Sequence, residues 1–157
     1  MRFLRSFLLA LVLGMNAHAT PVDDIGQVLD RFHAAASAAQ FDTYFGLFAP
    51  DGVFIGTDAS ERWTVDAFKA YAKPIFDKGR GWTYLPHDRH IDLAPDGQHA
   101  WFDELLDNKG LGACRGTGVL RKIGGAWKIE QYHLTIPVPN ALADDVVKLI
   151  RAQKPAS

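Results

Sequence analysis

The stretch from Trp101 to Asn140, WFDELLDNKGLGACRGTGVLRKIGGAWKIEQYHLTIPVPN, constrains the fold most, because its turn signals decide which side chains share a face. Apolar and polar residues alternate around Asp107-Asn108-Lys109-Gly110 and around Gly124-Gly125, the pattern of strands joined by tight hairpins. Upstream, Ala94-Pro95-Asp96-Gly97 matches the first of these as a type I turn followed by a left-handed glycine. Residues directly opposite in an antiparallel pair lie on one face, so loops at 95–97, 108–110 and 124–125 convert into a residue map. One face is expected to carry His90, Phe102, Gly116 and His133 in a row, Asp88, Glu104 and Cys114 in the next, and with them Gln131, Gly118, Leu120, Ile129 and Trp127. The opposite face is expected to carry Ile91, Trp101, Thr117 and Tyr132, then a charge ladder through Arg89, Asp103 and Arg115 that ends on Leu134.

Helical periodicity dominates before this meander. After Pro21, the acids Asp23 and Asp24 precede an apolar stripe of Ile25, Val28, Leu29 and Phe32, which predicts a first helix to about Gln40. A short second helix through Tyr44, Leu47 and Phe48 is expected to stop at Pro50-Asp51-Gly52, before a short strand at Val53-Phe54-Ile55. Thr64 can cap a third helix carrying Val65, Phe68, Tyr71 and Ile75 on one face, with Pro74 bending or shortening it and Gly79 past its end. Asn140 is expected to cap a last helix through Leu142, Val146, Leu149 and Ile150. Helices, then a four-stranded antiparallel meander, then a terminal helix make an α+β domain.

The first residues read as a leader. Arg2 and Arg5 precede an apolar run from Phe7 to Leu13 that is too short to span a bilayer, and Ala17-His18-Ala19 is an A-x-A cleavage site. Residues 1–19 are therefore expected to be a signal peptide and residues 20–157 the domain, exported to the periplasm or secreted. Processing removes two cations and no acid, so the formal charge goes from −1 to −3, which excludes a nucleic-acid footprint. No second apolar stretch is long enough for a membrane anchor. Cys114 is the only cysteine, so no internal disulfide is available and core packing must hold the domain.

Candidate chemistry follows from the first face. Gly116 and Gly118 supply no side chain beside His133 and Gln131, so a void is expected there, lined by Phe102, Leu120 and Trp127, with His90, His133, Glu104 and Asp88 as converging polar groups. His133 reads either as a general acid or base or as a hydrogen-bonded wall residue, and Glu104 either as its partner or as a structural acid paired with Arg89 or Arg115. Trp63, Tyr71 and Trp82 are placed at the cavity mouth, with a core role as the alternative. His33 and His99 are left as structural or solvated. Two imidazoles and two carboxylates suffice in number for a metal, but no compact ligand spacing supports one, so neither metal nor cofactor is assigned.

The RGTGVLRK strand (Arg115 to Lys122), the Gly-Gly-x-Trp turn into WKIEQYHLT, and AQFDTYFGLFAPDGVF (Ala39 to Phe54) resemble a SnoaL-like domain of the nuclear transport factor 2-like superfamily, over the whole mature chain. The resemblance implies a cone-shaped roll, three N-terminal helices packed on a curved antiparallel sheet with a C-terminal helix. It also implies a ligand pocket in the cone and pairing into a homodimer through the outer sheet face, here Ile91, Trp101, Thr117 and Tyr132. The superfamily's ketosteroid isomerases carry an oxyanion tyrosine, a general-base aspartate and a protonated aspartate, which align with Phe32, near Gly56 and near Gly118. All three are missing, which argues against dienol isomerisation. Three readings stand, of which the first two are a module binding a small, largely apolar organic molecule, and an enzyme of lyase, isomerase or hydrolase type that moves protons with His133 and Glu104. A purely assembling domain is the third.

Overall fold

The computed structural model describes residues 20–153, so the expected signal peptide, residues 1–19, lies outside the described residues. Helix α1 spans Pro21–Ser37 and begins on a capping box: the Thr20 side chain accepts from Asp23 N while the Asp23 carboxylate accepts from Thr20 N. Its stripe of Ile25, Val28, Leu29, Phe32 and Ala36 is buried, together with His33. Helix α2 is Phe41–Gly46, and α3 is Val65–Phe76, capped by the Thr64 hydroxyl accepting from Ala67 N. Pro74 stays inside α3, near its end. The buried face of α3 is Val65, Phe68, Ala72 and Phe76, so Tyr71 is left half exposed at the rim.

The sheet has six strands, β1 (Phe48–Ile55), β2 (Arg62–Thr64), β3 (Leu85–Leu93), β4 (His99–Asn108), β5 (Gly112–Ile123) and β6 (Ala126–Thr135), in the order β2-β1-β6-β5-β4-β3. The expected meander is β3 to β6. The purely antiparallel sheet is corrected to a mixed one, because β1 runs parallel to β6 and carries β2 as a short antiparallel edge. Pro50-Asp51-Gly52 does not stop α2 but forms an irregularity inside β1, where pairing to β6 shifts between Phe48 and Val53. A proline is tolerated there because a bulge does not require its missing N–H.

Three local features in the meander exchange strand faces. The first hairpin closes at Ala94 and His99, whose N–H and carbonyl bond at 2.8 Å, and Asp96 Oδ1 accepts from Gln98 N and His99 N. That adds one residue to the loop, so Ile91 rather than His90 lies opposite Phe102. A second irregularity between His87 and His90, with Asp88 at φ 50°, then turns Arg89 inward. The third is in β6: pairing from the Gly124-Gly125 turn runs as expected to Leu120 opposite Ile129, after which Glu130 is an extra residue and Val119 lies opposite Gln131. Beyond that bulge the faces exchange, so Tyr132 and Leu134 point inward and Gln131 and His133 outward. The β4–β5 loop moves by one residue, which shifts the register by two and so changes partners but preserves faces: Glu104 lies opposite Gly116 and Phe102 opposite Gly118.

The core lies between the helices and the concave sheet face, with Leu106, Cys114, Leu120 and Ile129 fully buried from the sheet side. A 3₁₀ turn at Asn140–Leu142 precedes α4 (Ala143–Ala152), whose first-residue cap is Leu142 rather than Asn140. Helix α4 buries none of its residues and exposes Leu149 and Ile150. Among the described residues no helix is long and apolar enough to cross a membrane.

Candidate functional site

Two neighbouring cavities, sharing Phe54, Trp82, Tyr84 and Leu134 as walls, lie in the interior of the cone. The outer one is a cleft of about 190 Å³ walled by Phe54, Trp63, Phe68, Tyr71, Trp82 and Tyr84, with Leu111, Leu134, Thr57 and Glu61 completing it. Local sequence positions these rings. Phe54 projects inward from β1, and Trp63 sits opposite it on β2, stacked at 6.1 Å between centroids. Trp63 also stacks on Phe68 at 5.3 Å and on Tyr71 at 4.7 Å, and Phe68 on Trp82 at 5.9 Å, all with interplanar angles of 20–30°. Trp82 and Tyr84 hang from the segment between α3 and β3, which rests on the end of α1. A Cβ at Gly81 would overlap the Ala36 carbonyl oxygen, so only glycine permits that approach. Ser37 and Thr83 join hydroxyls at 2.9 Å, and Asn108 donates to the Thr83 carbonyl at 2.9 Å, which fixes the segment in place.

Phe54, Trp82, Tyr84 and Leu134 also border a narrow inner chamber of about 10 Å³, whose other walls are Phe32, His33, Ala36, Tyr44 and Tyr132. That is room for about one water molecule. Behind it lies a buried polar cluster. His33 Nε2 is 2.6 Å from Glu104 Oε1, Arg89 Nε donates to Glu104 Oε2 at 2.7 Å, and the Tyr132 hydroxyl donates to Glu104 Oε1 at 3.4 Å. Glu104 is fully buried, a position that a carboxylate occupies only when paired and hydrogen-bonded. Arg89 extends the cluster to the surface through Asp30 Oδ1 at 2.8 Å and the Gly26 carbonyl at 3.1 Å, tying β3 to α1.

Burial acts on the ionisable groups here. It lowers the Arg89 guanidinium, but the Glu104 and Asp30 carboxylates outweigh it and hold Arg89 above its usual value. The Tyr132 phenol is pushed well above its usual range, first by burial and then by the Glu104 charge, so it stays a donor. Burial likewise raises Tyr44 well above the ordinary phenol value, and raises Tyr84 to about 12. The Cys114 thiol, buried in the core, is raised by desolvation and stays neutral.

The residues expected at the site are distributed as follows. Trp63, Tyr71 and Trp82 line the cleft. Glu104 points inward, but toward His33, since His133 lies across the sheet on the outer face opposite Thr117; Glu104 and His133 do not share a cavity. His90 also faces outward, 3.4 Å from Asp103, and Gln131 faces outward opposite Val119. Phe102 faces inward but is packed in the core, not at the cleft. The void expected over Gly116 and Gly118 is filled: Gly118 lies between Phe102 and Tyr132, whose rings are 5.8 Å apart, and a Cβ at Gly116 would meet the Tyr132 hydroxyl and Glu104. The residues the sequence map left out of the site are His33, Tyr132, Tyr84 and Glu61, whereas Arg89 was the alternative partner offered for Glu104 and is paired with it. His33 carried a usable signal, since it sits next to Phe32 on the buried stripe of α1, where an imidazole needs a partner. Among the described residues no group of three or more His, Cys, Asp or Glu side chains could hold a metal ion.

The sequence of the SnoaL-like domain family matches residues 25–139. Among solved structures, the chain is similar to an NTF2-like protein of unknown function from Pseudomonas putida, at 16% identity and a TM-score of 0.64, covering 78% of this chain and 92% of that one. A candidate dehydratase of the NTF2-like family from Streptomyces avermitilis is similar at 15% identity and a TM-score of 0.64, over 75% and 96% of the two chains. A candidate scytalone dehydratase from Novosphingobium aromaticivorans follows at 15% identity and a TM-score of 0.63, over 74% and 84%. No curated protein matches the sequence. At these identities the likeness to solved structures speaks for the fold.

Proposed function

The chain belongs to the SnoaL-like domain family, and on that premise we propose that it is an exported module that holds a small, planar, largely apolar organic molecule in the aromatic cleft of the cone. The observation that carries this reading is the wall of near-parallel rings along a cleft of about 190 Å³. A dry apolar cavity of roughly 150 Å³ admits benzene, so the cleft suits one ring with a short substituent or a small fused pair. Offset stacking on Trp63 and Trp82 would add about 0.5–1.5 kcal/mol per ring beyond the area buried. Native mass spectrometry of protein purified from its own periplasm or medium tests the reading, with Trp82→Ala as the companion variant. A co-purifying aromatic molecule absent from Trp82→Ala supports it; an empty cleft that fails to bind any aromatic probe overturns it.

A second reading, an enzyme of lyase, isomerase or hydrolase type, is favoured by the His33–Glu104 pair behind the inner chamber. A carboxylate accepting from one ring nitrogen orients the imidazole and leaves the other nitrogen as the atom that can take up a proton. The proton pair in this reading is His33 and Glu104, since His133 is on the outer face. Turnover of a cleft ligand that His33→Ala abolishes and His133→Ala leaves intact would select it over binding alone.

Two wider proposals accompany the first reading. Export rests on the leader signature, and Thr20, directly after the Ala19 cleavage point, is the residue that caps α1, so processing leaves the cap intact. N-terminal sequencing that begins at Met1 would overturn it. Pairing into a homodimer through the outer sheet face rests on Trp101, half exposed opposite Val119, with Thr117 nearby; Ile91 and Tyr132 point into the core and drop out of that surface. Sedimentation showing a monomer at high concentration would overturn it.

A further inference from the structure

The cleft holds one charged side chain, Glu61, and among the described residues no cationic group lines it. Glu61 is half-buried at the rim, and no cationic side chain among the described residues lies within 4.0 Å of it. The carboxylate is nevertheless held in place. Its Oε2 accepts from Asp58 N at 3.3 Å, and the Glu61 carbonyl accepts from Gly56 N at 2.8 Å. A side chain at Gly56 would overlap the Glu61 carboxylate, so the glycine makes the space that Glu61 occupies. Its other oxygen, Oε1, makes no hydrogen bond to a described residue. The same cleft is walled by Trp63, Tyr71, Trp82 and Tyr84, and the negative potential over an aromatic face favours a cation and disfavours an anion.

We propose that the cleft selects aromatic molecules that carry a short ammonium arm, the ring lodged among the aromatic walls and the ammonium paired with Glu61 at the rim. This rests on the reading of the cleft as a binding site for a planar organic molecule and specifies its charge. The pairing supplies the counter-charge that Glu61 lacks, and the wet rim spares the ammonium from full desolvation while the ring is buried. A carboxylate-bearing ring of equal size meets Glu61 with like charge and is rejected.

Quenching of tryptophan fluorescence in the purified protein, with titration calorimetry alongside, tests this with three probes that share one ring and differ in the arm: phenethylamine, phenethyl alcohol and hydrocinnamate. The amine is expected to bind roughly tenfold tighter than the alcohol, and hydrocinnamate weakest. In Glu61→Gln, which keeps an oxygen for Asp58 N, the preference for the amine should collapse to within about twofold while alcohol binding is unchanged. Equal binding of amine and alcohol to the unaltered protein, or an amine preference that survives in Glu61→Gln, overturns the assignment of the cation to Glu61 and leaves the aromatic cleft standing. Failure of all three probes to bind overturns the aromatic cleft itself.

Discussion

At the scale of single residues, Arg89 and Asp30 touch each other yet should differ sharply in importance. Arg89 compensates a carboxylate that has no access to water, whereas Asp30 is 68% exposed and can exchange the guanidinium for solvent. Removing one member of a buried ion pair strands the other and typically costs about 3–5 kcal/mol, while an exposed pair is worth less than about 1 kcal/mol. Arg89→Ala is therefore expected to lower the urea midpoint by an amount in the first range, and Asp30→Asn to leave it nearly unchanged. Equal, small effects would mean that His33 and Tyr132 alone satisfy Glu104. Gly118 gives the opposite kind of test. Because a side chain there would enter the Phe102 ring and the Gln131 carbonyl, Gly118→Ala should destabilise by about 1–3 kcal/mol through overpacking, without passing through any effect on a void.

Among the elements, the connector that carries Trp82 and Tyr84 is open to disturbance at one point, because its two hydrogen bonds through Thr83 hold only while Gly81 leaves room for the Ala36 carbonyl. Gly81→Ala forces the segment away from the Ala36 carbonyl and shifts two walls of the cleft together. The expected outcome is a changed tryptophan emission maximum and at least a tenfold loss of ligand affinity at a modest cost in stability; unchanged affinity would show that Trp82 and Tyr84 do not form the site. The same scale explains what the sequence revealed. Helix α1, α3 with its Thr64 cap, and the β3 to β6 meander were legible because periodicity and turn chemistry are local. The parallel pairing of β1 with β6 carries no turn signal, since parallel neighbours are joined by long connections. The inner face was half legible: Phe102, Glu104, Gly116, Gly118 and Cys114 point as the hairpins dictate, because the β4–β5 error was an even number of residues. One extra residue at Glu130 and one in the first loop exchanged Tyr132 for His133 and Ile91 for His90, and neither insertion has a composition that marks it.

For the whole molecule, the two buried phenols, Tyr44 and Tyr132, and the half-buried Tyr84 couple stability to alkali. Burial raises Tyr44 and Tyr132 well above the ordinary phenol value and Tyr84 to about 12, whereas in the unfolded chain each should titrate near about 10. Below about pH 10 both states hold these protons and the phenols add no pH dependence. As pH rises past about 10 the unfolded chain releases protons that the native state retains, so unfolding is favoured and stability falls, the loss continuing through the folded-state value of Tyr84. The urea midpoint is thus expected to be level across the neutral range and to decline steeply above about pH 10. Tyr44→Phe isolates the effect, because the buried Tyr44 hydroxyl makes no well-formed hydrogen bond among the described residues, Trp82 being its nearest polar neighbour of consequence, and its removal should change neutral-pH stability little. That variant should decline less steeply than the unaltered protein over the same alkaline range. A midpoint at about pH 11.5 equal to that at neutral pH, or an identical decline in Tyr44→Phe, would show that the folded state does not hold these protons and that the phenols are open to water.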